Sequence, residues 1–158
     1  MYAVVCIILQ EEGHSAARVY TIYGDHQTPM LIPPAFQVAS LPNVGGVSAA
    51  LAKRVSHGMF DSWLTVGLAD GDAQGLLGMI GMGLKDWDAT HGLSVRDGAI
   101  FWMNPSKAPA GRALLAQLTV PRGWKGEAVM NVGGRQASLS ASGRAHDFYV
   151  KGVHFHIG

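Results

Sequence analysis

The chain is expected to fold as an all-β protein, an antiparallel β-sandwich of jelly-roll-like form with one or two short helices, in one domain over residues 1–158. Short apolar runs recur between turn signals, and no long amphipathic helical stretch interrupts them. Glycine occupies 21 positions and proline seven, spread along the chain. The third observation is FDSWLTVGL, Phe60 to Leu68, which reads at period two. Phe60, Leu64, Val66 and Leu68 share one side with Ser62, while Asp61, Trp63, Thr65 and Gly67 fall on the other. That alternation predicts a half-buried strand around which the other elements are arranged. Trp63 then faces away from the main core and needs a helix, a second sheet or another chain to cover it.

The remaining elements follow in order. Tyr2 to Gln10 is the first strand, turned by Glu11 to Ser15; Arg18 to Tyr23 alternates as the second and ends at Gly24-Asp25. Thr28 to Ser40 holds Pro29, Pro33 and Pro34, so it is an edge strand or a wandering connection. Ser48 is placed to cap a short helix, AALAKRV. Asp70-Gly71-Asp72 opens like a calcium loop, but Gly81 stands where the bidentate glutamate is needed, and a plain turn is the reading. Gly75 to Leu84 is a strand, its glycines leaving room for a close neighbour such as an indole. Lys85 to Val95 is a polar connection carrying Trp87. Ala99 to Met103, apolar on both faces, belongs inside a sheet. Arg112 to Val120 alternates, and Trp124 folds over the end of the sandwich. Glu127 to Val132 is followed by a hairpin signal, Gly133-Gly134, with Gln136 to Ser142 pairing back and Asp147 to Ile157 last.

Hydrophobic residues make up 48% of the chain and charged ones 15%, which rules out disorder. With 12 basic and 11 acidic residues and no basic run, no footprint for nucleic acid or an anionic membrane exists. A low, nearly balanced charge favours association. Cys6 is the single cysteine, read as a small buried hydrophobe. The apolar run Tyr2 to Leu9 is too short to span a bilayer and lacks the basic start of a signal peptide, so no targeting segment is read.

Catalytic constellations are missing. No GxSxG elbow, no HExxH and no cysteine-rich zinc spacing occurs. His154 and His156 share a face of the last strand, yet two ligands without a third do not make a metal site. Asp61, Asp86 and Asp88 are the carboxylates from which a hydrolytic pair would have to come. Neither an enzyme, a cofactor nor a metal ion is expected.

Several stretches together carry a resemblance: YAVV from Tyr2, RVYTIYGD followed by TPM, FDSWLTVG, GAIFWMNP and ALLAQLTV, ending at Val120. In this order they resemble a β-rich module of the shell proteins around the pyrenoid of diatoms and related algae (PyShell); similar modules occur in marine bacterial proteins. The resemblance implies a β-sandwich whose copies tile into a thin protein sheet around the Rubisco condensate, inside the chloroplast, where carbon dioxide is fixed. Shell proteins of the family carry two copies of the module, and one is read here.

A homo-oligomer without catalysis is therefore the expected function, with Rubisco touched indirectly. Trp63, Trp87 and Trp124 are the interface candidates outside the last strand. Within it they are Tyr149, Val153, Phe155 and Ile157, taken to share one face interrupted by Lys151. The alternative is a small-molecule or carbohydrate-binding sandwich that stacks sugars on Trp63, Trp87, Trp102 or Trp124.

Overall fold

The computed structural model describes residues 1–10, 17–136 and 146–158. In chain order the strands begin with β1 (Tyr2–Gln10), β2 (Ala17–Gly24), β3 (Met30–Ile32), β4 (Trp63–Leu64) and β5 (Leu77–Ile80). They continue with β6 (Leu93–Val95), β7 (Gly98–Trp102), β8 (Arg112–Pro121), β9 (Gly126–Gln136) and β10 (His146–Ile157). One helix, α1 (Ala49–Arg54), precedes β4, and Ser48 Oγ caps it by accepting the Leu51 N–H at 3.2 Å. The fold is an all-β sandwich of unequal antiparallel sheets. One has three strands in the order β1-β8-β4, and the other has seven. In the larger, β9 is central: β10 runs along one of its edges, while β2 and β3 share the other.

The alternating strands bury their inner faces between the sheets. Ile22, Met30, Ile100 and Met130 from the large sheet meet Leu64, Leu115 and Leu118 from the small one, all fully buried in one cluster. Removing such side chains from water is the main favourable term in folding. The indole of Trp102 ties the layers together, donating from Nε1 to the Val66 carbonyl at 2.6 Å.

The stretch Phe60 to Leu68 is not a nine-residue strand. Phe60 closes a one-turn 3-10 helix with Gly58, and only Trp63–Leu64 pair as a strand, β4. Its side chains replace the missing ladder: Asp61 Oδ1 accepts the Val38 N–H at 2.8 Å, and Ser62 Oγ accepts the Thr119 N–H at 2.9 Å. Asp61 to Val66 are all buried. Trp63 does face away from the core, opposite Gln117. It is nonetheless only 5% exposed. Ala49 and Ala52 of α1, with Met59 of the 3-10 turn, line the same hollow and supply its cover.

Other elements depart from expectation for identifiable reasons. Gly133-Gly134 makes no hairpin and lies inside β9. A Cβ on Gly133 would come within 2.9 Å of the Tyr149 ring, and one on Gly134 within 2.4 Å of the Phe148 ring. The glycines make room for two aromatic rings of β10. The expected strand over Gly75 to Leu84 shrinks to β5, because Gly81 and Gly83 take left-handed φ of 64° and 59°. The close neighbour at Gly78 is the Phe101 ring, not an indole. Cys6 is exposed, because it sits on the bare outer face of an edge strand. The expected turn at Glu11 to Ser15 and the pairing of 137–142 lie outside the described residues.

In β10 the register shifts between Val150 and Val153, where Gly152 adopts φ 64°. The extra residue changes the alternation. Val153 and Phe155 pack on the core, whereas Tyr149 lies on the outer face over Gly133. The single face drawn through Tyr149, Val153, Phe155 and Ile157 is therefore corrected. Asn131, fully buried, holds the bulge: its Oδ1 accepts the Gly152 N–H at 2.9 Å and its Nδ2 donates to Thr28 O at 3.0 Å.

Candidate functional site

The outer face of β1 is an exposed apolar surface among the described residues. Alternation along this edge strand turns Tyr2, Val4, Cys6 and Ile8 outward, and Tyr2 and Val4 are 52% and 44% exposed. Met59 and Phe60 extend the patch from the neighbouring turn. With Met1 included, six of the 13 exposed large hydrophobic side chains of the described residues fall on this face. Next to it is a hollow of about 370 Å³ between Met1, Tyr2, Phe36, His57, Phe60 and Thr119. Tyr2 and Phe36 rings lie 5.9 Å apart there, and His57 holds a left-handed φ of 61°. The far edge of β1 has no partner strand among the described residues, and the strand carries no charge.

The tryptophans do not form a platform. Trp63, Trp87 and Trp102 are buried. Trp87 donates from Nε1 to the Pro33 carbonyl at 2.9 Å. Trp124 is half-buried and lies over Gly126, where a Cβ would approach its ring to 2.2 Å. Trp63 and Trp87 thus offer no surface to another chain. Of the last-strand candidates, Ile157 is buried, Val153 and Phe155 are half-buried, and Tyr149 is exposed.

The three acids do not converge through any hydrogen bond. Asp61 is fully enclosed, and burial pushes its carboxyl up to about 6. Asp86 is exposed on a 3-10 turn. Asp88 caps the following turn, and its hydrogen bonds from Thr90, then from His91, hold it well below the usual carboxylate range. Both oxygens of Asp72 are taken up by the Leu76 and Leu77 N–H groups, as in a plain turn. His154 and His156 each approach Glu127 Oε2, at 3.0 and 3.6 Å. Among the described residues no three such side chains surround a metal position.

A second concavity, about 740 Å³, opens on the outer face of the large sheet, with Tyr23 and Tyr149 among its lining residues. Their rings meet edge to face, 6.0 Å apart at 85°. The Tyr149 hydroxyl lies 3.0 Å from that of Tyr20, whose ring has the Arg135 guanidinium 5.8 Å above its centre. Arg135 is in turn paired with Asp147 at 2.7 Å. Lys151 and Asp25 form an ion pair at 2.6 Å at one side of the groove, and Asp97 also lines it. Burial first, and then the bond to Tyr149, push the Tyr20 phenol up; burial does the same at Tyr23. Sequence reasoning missed this group because β2 and β10 are far apart in sequence and are brought side by side only by pairing with the two edges of β9. The one available signal was the pair of glycines in β9.

No family model matches the chain, and comparison with curated proteins and with solved structures finds no match.

Proposed function

We propose that the protein is a structural, self-assembling module that works without catalysis, of the kind that tiles into the sheet around a pyrenoid Rubisco condensate. The observation that carries this is the outer face and open edge of β1. An uncharged nine-residue edge strand with exposed Tyr2, Val4 and Ile8 presents unpaired main-chain groups and apolar surface together. Natural proteins usually guard such an edge with charge, proline or a covering element, and among the described residues no strand pairs with it. A second copy is the occupant that fits. Two uncharged edges meet without like-charge repulsion, and a net charge of only +1 leaves little repulsion between whole chains. The resemblance of the strand sequences to pyrenoid-shell modules supports the biological setting, inside the chloroplast, with Rubisco contacted indirectly. Among the described residues no helix is long and apolar enough to cross a membrane.

Light scattering on a concentration series, followed by negative-stain microscopy, tests the proposal. The wild type should grow into oligomers, sheets or tubes. Val4→Asp, which places a charge on the exposed face, should stay monomeric with an unchanged melting temperature. A wild-type chain that remains monomeric at high concentration overturns the proposal, as does a Val4→Asp variant that assembles normally.

A further inference from the structure

We propose that the groove between Tyr23 and Tyr149 on the outer face of the large sheet binds a neutral saccharide. Its volume, about 740 Å³, lies within the range of small-ligand sites. Two tyrosine rings set at 85° present an aromatic corner against which the C–H faces of a sugar ring can stack. Asp25, Lys151 and Asp97 add polar groups around that corner. Sugar hydroxyls are donors and acceptors at once, so they satisfy carboxylates and an ammonium in the same site. The charges also narrow the ligand class. Two carboxylates against one ammonium disfavour an anion, and since Lys151 is paired with Asp25, Asp97 is the carboxylate left to accept hydrogen bonds from a ligand's hydroxyls. A neutral polyol avoids that penalty and supplies the hydroxyl donors.

The ring of Tyr149 is fixed before any ligand arrives. It lies against the bare backbone of Gly133, where a Cβ would stand 2.9 Å from two of its carbons, and its hydroxyl is held by that of Tyr20. Gly133 is therefore a positioning residue for the groove. Fixing an aromatic contact in advance reduces the ordering cost of binding. The groove faces away from the small sheet that carries β1, so binding and assembly are separable by mutation.

The test is calorimetric titration of the full chain with short, uncharged gluco-, xylo-, manno- and chito-oligosaccharides, with choline and a sulfated glycan as charged controls. At least one neutral series should bind saturably. Tyr149→Ala should weaken that binding by about tenfold or more, the scale of losing one stacked ring. Asp97→Asn should weaken it too, with melting temperature and light-scattering behaviour unchanged in both variants. Gly133→Ala should lower affinity while Tyr149 remains present, which separates displacement of the ring from its loss. The proposal is overturned if no neutral oligosaccharide binds at millimolar concentration, if only choline or the sulfated glycan binds, or if Tyr149→Ala binds like the wild type.

Discussion

Asp61 gives the sharpest test of the energetics. Its carboxyl is enclosed, with Oδ1 accepting the Val38 N–H and Oδ2 left without a partner. Burial raises its pKa from 3.8 to about 6, so the folded chain holds this proton more tightly than the unfolded chain does. Stability from this group is therefore greatest below about pH 4, falls as pH rises through 4 to 6, and stays lowered above that. A shift of roughly two units corresponds to about 3 kcal/mol. Asp61→Asn keeps the acceptor for Val38 and removes the titration. The comparison is urea unfolding of wild type and variant at pH 4 and at pH 7.5, where other groups cancel in the difference. The variant's stability relative to wild type should rise by about 2–3 kcal/mol between the two values. In a chain of this size that is on the order of 5–10 °C in melting temperature. A relative stability that is the same at both pH values would refute the reasoning, and would mean that water reaches the carboxylate.

Leu64→Ala, at a fully buried position, should cost about 2–5 kcal/mol in urea unfolding. Trp63→Ala should also lower stability while leaving light scattering unchanged, because α1 already covers the indole. Trp102→Phe strands the Val66 carbonyl and should cost about 1–3 kcal/mol, read from thermal melts. Deleting Val153 to Gly158 removes buried Ile157 and half of the β9–β10 ladder. The truncated chain should therefore melt early or precipitate; a folded, monomeric product would instead show that this strand acts between chains.

The parts of the fold that were legible in the sequence are those whose side-chain pattern matches their backbone pairing. β1, β2 and β8 alternate over eight to ten residues and were read nearly to their ends, and Ser48 announced α1. Phe60 to Leu68 misled because polar side chains at Asp61, Ser62 and Thr65 make backbone contacts that a ladder would otherwise make. Alternation in composition does not reveal that exchange. Gly133-Gly134 has two physical uses, a tight turn and a bare strand surface, and only the later aromatics Phe148 and Tyr149 decide between them. The tryptophans looked like surface anchors because their partners, the carbonyls of Pro33 and Val66, are 54 and 36 residues away.

The bulge at Gly152 gives the end of the chain a parity. Up to Lys151 the odd-numbered residues of β10 point outward; beyond Gly152 the odd-numbered ones, Val153, Phe155 and Ile157, point inward. Substitutions along this stretch change one contact each, and losing Lys151 or Gly152 would only restore an unbroken alternation; losing Val153, past the bulge, would exchange every side chain that follows. His154 and His156 would then face the interior, while Phe155 and Ile157 met water. Asn131, 21 residues earlier in the sequence, keeps count by holding the Gly152 N–H. Beyond the bulge, the end of β10 is thus tolerant of changes in spelling and intolerant of changes in length.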